Sequence, residues 1–367
     1  MNMIKNLVVF TLGIMLGLGI AVIGYGVHRH FDFAGKAEHI KAHAVAVLNR
    51  TIGSKVNAAR LQHAVAPTPF FPPGSVWTQD VSHAPLNPQS STIISWLSDA
   101  GGWGHGRMQV DFDFRVMQAD ATTPYVPFRK GPRFSPDSDV VSTIPLPAGG
   151  GIEAQQGYQC NIDQSDCHLI VVDRGHGKLY EAYLANYTDN ALTANLLAVW
   201  NLNRVYPPSG RGDQCSSADA AGFPIAPLLF NADELATGSI NHAIRFILPN
   251  ARIRPGVFVH PATHGSKGHG SPAAPPYGVR FRLKSSYDIS QLKPAAQVVA
   301  RALQKYGMFL SDQGGITLSA QNDTDTQVKY ADVDFGSHDL QALKVTDFEV
   351  VDMGTPIRLT FDCVRNP

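Results

Sequence analysis

Hydrophobic and polar positions alternate in short runs along most of this chain, and turn residues such as Gly, Pro and Asp separate the runs. A period of two predicts β-strands. The densest stretch covers residues 215–284, with strands expected over 240–248, 256–260 and 278–284. In the last, Val279, Phe281 and Leu283 alternate with Arg280, Arg282 and Lys284, so one face is expected to be core and the other basic. In the first, His242 falls in phase with Ile240, Ile244 and Phe246, while Arg245 points the other way.

Upstream, Val110, Phe112, Phe114 and Val116 alternate with Asp111, Asp113 and Arg115. The two aspartates share a face, either as a carboxylate pair for acid–base work or calcium, or as the solvated side of an edge strand. Runs at 168–173 and 178–185, joined by Arg-Gly-His-Gly, predict a hairpin, and 124–128 and 198–203 add strands. A short helix is expected before the Gly-rich turn near 101. The clearest helix covers 294–308, with Pro294 near its start and Gly307 as its cap. This inventory predicts a mainly β fold: one large β-sandwich of jelly-roll type with one packed α-helix.

The N-terminus breaks the pattern. Residues 7–27 carry no charge over a length close to the roughly 20 residues that span a hydrocarbon core. Lys5 precedes them, His28, Arg29 and His30 follow, and no small-x-small cleavage site is evident. A retained signal anchor is expected over 1–30, then a helical stalk over 31–66 and an extracytoplasmic β-rich domain over 67–367. The membrane is thus an expected partner through the N-terminal helix.

Composition narrows the function. Charged residues make up 16%, the formal net charge is zero and hydrophobic residues reach 44%. That excludes disorder and argues against nucleic acid as a partner. Four cysteines, Cys160, Cys167, Cys215 and Cys363, suit two disulfides in an oxidising compartment, the first closing a short loop and the second tying the chain's end to its centre. No cofactor or structural metal is expected. His260, His264 and His269 lie on a Gly/Pro-rich loop that suits hydrogen bonding better than metal ligation. Nucleophile-elbow, zincin, Walker and dinucleotide fingerprints do not occur.

The phrases at 217–246, 258–264, 275–284 and 305–315 resemble a widespread group of secreted or lipid-anchored bacterial proteins. The resemblance runs from about Trp77 to Asp352 and weakens at 138–147. It implies an extracytoplasmic location and a single domain, and it supplies no catalytic roles.

Two functions fit these residues. One is a carbohydrate-active enzyme, foremost a lyase on an acidic, uronate-containing glycan. Its catalytic groups would be His260, His264, Tyr277, Arg280 and His242, which offer a base and a cation for the uronate carboxylate. Glu181, Arg245, Asp219, Arg282 and Asp312 would bind; Glu181 beside Tyr183 has the acid-and-aromatic character of sugar sites. A hydrolase variant would use a carboxylate pair drawn from Glu181, Asp219 and Asp312. The other function is a non-catalytic glycan-binding or cell-envelope structural domain.

Overall fold

The computed structural model describes residues 64–366 except 267, together with residue 61. The expected anchor over 1–30, and the stalk apart from residues 61 and 64–66, lie outside the described residues. No helix among the described residues is long and apolar enough to cross a membrane.

The strands are β1 (Val110–Phe114), β2 (Val116–Gln118), β3 (Tyr125–Lys130), β4 (Thr143–Pro145), β5 (Leu169–Asp173), β6 (Lys178–Tyr183), β7 (Asn186–Thr188) and β8 (Ala191–Ala194). They continue with β9 (Leu196–Asn201), β10 (Ile244–Leu248), β11 (Val257–Phe258), β12 (Arg280–Leu283), β13 (Met308–Gln313), β14 (Leu318–Gln321), β15 (Phe348–Val350) and β16 (Ile357–Arg358). Three α-helices occur among the described residues: α1 (Ser90–Asp99), α2 (Ala232–Thr237) and α3 (Pro294–Lys305).

The fold is β-rich with few helices, and its strands form four sheets. The largest has the order β1-β14-β10-β13-β12-β15 and is mixed: β1 runs parallel to β14 and β10 parallel to β13, while the other pairs are antiparallel. Two four-stranded sheets, β2-β5-β6-β9 and β4-β3-β8-β7, and the short pair β11-β16 complete it. The expected 110–116 strand divides at Arg115, where the chain leaves the six-stranded sheet and β2 joins β5 in the next.

Two apolar clusters hold these sheets. The larger takes Ile170, Val172, Leu179 and Trp200 from one side of β5, β6 and β9, together with most of the six-stranded sheet and α3. The smaller takes Leu169, Val171, Tyr180 and Leu197 from the opposite side, with Phe128 and Leu192. The β2-β5-β6-β9 sheet is thus apolar on both faces, which explains the unbroken Leu169–Val172 run. In α3, Ala296, Val299, Ala300 and Leu303 are buried, Pro294 opens the helix, and Gly307 follows its Tyr306 cap at a positive φ of 65°.

Both disulfides form, Cys160–Cys167 and Cys215–Cys363, and no cysteine is free. That is the pattern of a chain matured in an oxidising environment outside the cytoplasm.

Candidate functional site

Arg245 lies on β10, inside the six-stranded sheet, and is buried. A guanidinium removed from water needs acceptors from its surroundings. Both neighbouring strands supply one: Asp312 Oδ2 on β13 accepts from Nη2 at 3.2 Å, and Ser319 Oγ on β14 accepts from Nη1 at 2.7 Å. The third acceptor is Asp219 Oδ2, at 2.8 Å from Nε. The ring of Phe114 lies 5.1 Å from the guanidinium carbon.

Asp219 comes from a coil that the surrounding structure holds tightly. Its Oδ1 accepts from Ala221 N, and Ser217 Oγ donates to the carbonyl of Phe223. The carbonyls on either side of Asp219 are each taken by an imidazole: His168 Nε2 meets Ala218 O at 2.9 Å, and His264 Nδ1 meets Ala220 O at 3.0 Å. Gly222 sits at φ 80°, where a Cβ would run into Thr263 of the adjoining loop. Burial drives the Asp219 pKa up, to about 7, against the opposing pull of Arg245.

His168 faces two acceptors, since its Nδ1 meets Glu153 Oε2 at 2.8 Å. Only the doubly protonated imidazolium donates to both. Burial opposes that charge, but Glu153 overrides it and raises the pKa to about 9. Burial likewise works against ionised Glu153, and His168 wins there too, holding its pKa below normal.

The outer part of the cluster reaches water. Asp312 keeps 21% of its side chain exposed, Asp166 is exposed and Tyr183 is half-buried. Partial burial raises the Asp166 pKa, with His168 pulling the other way and Glu153 and Asp312 adding to the rise. Burial, then the charges of Asp166 and Asp312, holds the Tyr183 hydroxyl above its usual range. Asp111 and Asp113 do share the edge strand β1; burial and then Asp113 lift Asp111 to about 6. Among the described residues, no group of three or more His, Cys, Asp or Glu side chains is placed to hold a metal ion.

The expected site residues therefore separate. Arg245, Asp219 and Asp312 come together. Arg280 and Arg282 do not form an open basic face. Arg280 is 0% exposed, donating to Tyr306 O and Gln79 O, and Arg282 donates to Val81 O and Ala84 O and pairs with Glu349. The coil at 76–84 covers that face, and its carbonyls take the place of water. His242 precedes β10 rather than lying on it, and its Nε2 meets Glu234 Oε1 of α2 at 3.2 Å.

His260 Nε2 meets Asp213 at 2.8 Å, and the Tyr277 hydroxyl bonds Ser266 Oγ at 2.7 Å. His264 supports the Asp219 coil, and burial lowers its pKa, so the neutral ring donates through Nδ1. Glu181 is buried, not open to a sugar. It accepts from Ile225 N, Ala226 N and Trp200 Nε1, closing the turn at Ala226–Leu228. Burial outweighs those donors and lifts its pKa to about 7.

His168, Glu153 and Asp166 went unmarked in the sequence. The available signal was parity: His168 precedes Ile170 and Val172 at a spacing of two and shares their face. Glu153 carried no periodic signal, because it lies in coil. Comparison with known protein families, characterised proteins and solved structures returns no match for the chain.

Proposed function

We propose that this protein acts on a glycan outside the cytoplasm and that its reacting centre is the water-facing edge of the Arg245 cluster. The lyase arrangement loses support because its cations, Arg280 and Arg282, already donate to backbone carbonyls and, for Arg282, to Glu349. Glycoside hydrolysis by a carboxylate pair fits better. It needs one acid that stays protonated near neutrality and one carboxylate that stays ionised.

The observation that carries this reading is that two water-reaching carboxylates, Asp166 and Asp312, lie at the same edge beside Tyr183, one of them fixed by Arg245. Asp166 has a raised pKa and serves as the general acid. Asp312 is held in place by Arg245 Nη2 at 3.2 Å, keeps part of its side chain in water, and serves as base or nucleophile. Tyr183 offers an aromatic face for a sugar ring. Asp219 and Arg245 are positioning residues, with the Glu153–His168 pair fixing the coil from behind.

The test is reducing-end release from a panel of neutral and acidic polysaccharides, followed by Asp166→Asn and Asp312→Asn. Each variant is expected to lower turnover about 100- to 10,000-fold, with the Asp166→Asn midpoint near that of the parent protein and the Asp312→Asn midpoint lower, because Arg245 keeps an acceptor there but loses the opposing charge. Release of an ultraviolet-absorbing unsaturated product would restore the lyase reading. Saturable binding with no product would favour a glycan-binding domain, the reading supported by how fully Arg245 is already bonded.

A further inference from the structure

A second concavity lies away from the Arg245 cluster. It encloses about 500 Å³ between the entry to α1, the coil before β12 and the coil after β15. That volume falls within the range of small-molecule sites. Its walls are largely apolar, with Ile93, Val259, Val279 and Met353 among the lining side chains, and no aromatic ring contributes.

One cation lines it. Arg254 is partly buried, and among the described residues its guanidinium makes no hydrogen bond or ion pair; its backbone N donates to Pro275 O. Arg245, Arg280 and Arg282 each donate to at least two acceptors. The nearby acid, Asp352, is exposed and accepts from its own turn at Gly354 N rather than from Arg254. The partial positive charge at the start of α1, where Gln89 supplies no side-chain cap, acts in the same direction as the guanidinium.

We infer that this cleft binds a small carboxylate: Arg254 takes the carboxyl group in a charge-assisted pair, and the aliphatic walls take the non-polar body. The absence of an aromatic platform among the lining residues favours an aliphatic acid over a sugar acid. The site shares no residue with the Arg245 cluster, so it stands or falls separately from the hydrolase reading.

The experiment titrates the full-length protein with hexanoate, D-glucuronate and the neutral controls hexanol and glucose, read by calorimetry and ligand-observed NMR at low salt. Hexanoate is expected to bind, with hexanol much weaker. Arg254→Ala should weaken it about tenfold or more and Arg254→Lys less. Met353→Trp, which fills the cleft from a half-buried position, should block binding without touching Arg254. Glucuronate in place of hexanoate would assign a sugar acid to the same cation. No binding of either carboxylate, equal binding of hexanol, or unchanged affinity in both Arg254→Ala and Met353→Trp would overturn the site.

Discussion

Arg245 and Arg280 stand in one row of the six-stranded sheet, for both pair in register with Phe309 on the strand between them. Both are buried, yet their surroundings differ in kind. Arg245 meets two carboxylates and a hydroxyl. Arg280 meets two backbone carbonyls and the Phe309 ring at 4.6 Å, and its Nη1 has no partner among the described residues. Carbonyls do not titrate, so the second arrangement can only clamp the 76–84 coil to the sheet. Carboxylates do titrate, and one at the first arrangement reaches water. The same residue type at equivalent depth therefore serves as fastener in one column and as an electrostatic anchor in the other.

The sharpest way to break this comparison is Asp219→Ala. It leaves Arg245 buried with one carboxylate fewer and also removes the acceptor for Ala221 N. Stranding part of a buried ion pair costs about 3–5 kcal/mol, so the urea midpoint should fall steeply. A loss below about 1 kcal/mol would mean that water or Asp312 compensates freely and that the cluster is not tightly built.

The next effect is pH dependence. Glu181 has an ordinary pKa of 4.5 and a folded value of about 7, raised by burial. The folded state therefore binds the proton more tightly than the unfolded state. Its contribution is intact below about pH 4.5 and is lost as pH rises towards 7, about 3 kcal/mol by linkage. His168 acts with the same sign over a higher window, from 6.5 to about 9, because its folded pKa is also raised. Stability should thus decline from pH 5 to pH 9, and Glu181→Gln should flatten the lower part of the slope. A profile that stays flat or rises over this range would show that the raised values at Glu181 and His168 do not govern the linkage.

How much of this was legible in the sequence depends on what each residue needed. Strands with alternation or an apolar run, such as β5, β6 and β12, were found within a few residues, as was α3 through its period and its Pro294 start. The sheet order was not, because β10 and β13 are about sixty positions apart in sequence and run parallel. The alternation at 279–284 did separate apolar from charged positions. Whether the charged face met solvent or a covering coil depended on residues 76–84, which carry no periodic signal. A partner for Arg245 in Asp219 or Glu234 is legible from residue type, and Asp219 is the one it meets; that Asp312 joins them follows from the pairing of β10 with β13. The expected jelly roll presumed two facing sheets, while a mixed sheet and helices form much of the larger core.

Arg280→Met is the smallest of these effects and the most discriminating. Methionine fills much the same volume against Phe309 and removes a charge whose burial works against it, pressing the guanidinium pKa down to about 9. It also leaves Tyr306 O and Gln79 O without a donor, which costs about 1–3 kcal/mol for each carbonyl that stays dry. The two effects oppose each other, so the net loss should stay below that of Asp219→Ala, about 1–3 kcal/mol. Since neither carbonyl titrates, the loss should be the same at pH 5 and pH 8, and glycan turnover should be unchanged. A loss that varied with pH across that range, or a fall in turnover at full stability, would place Arg280 in the same functional class as Arg245 and dissolve the contrast between the two columns.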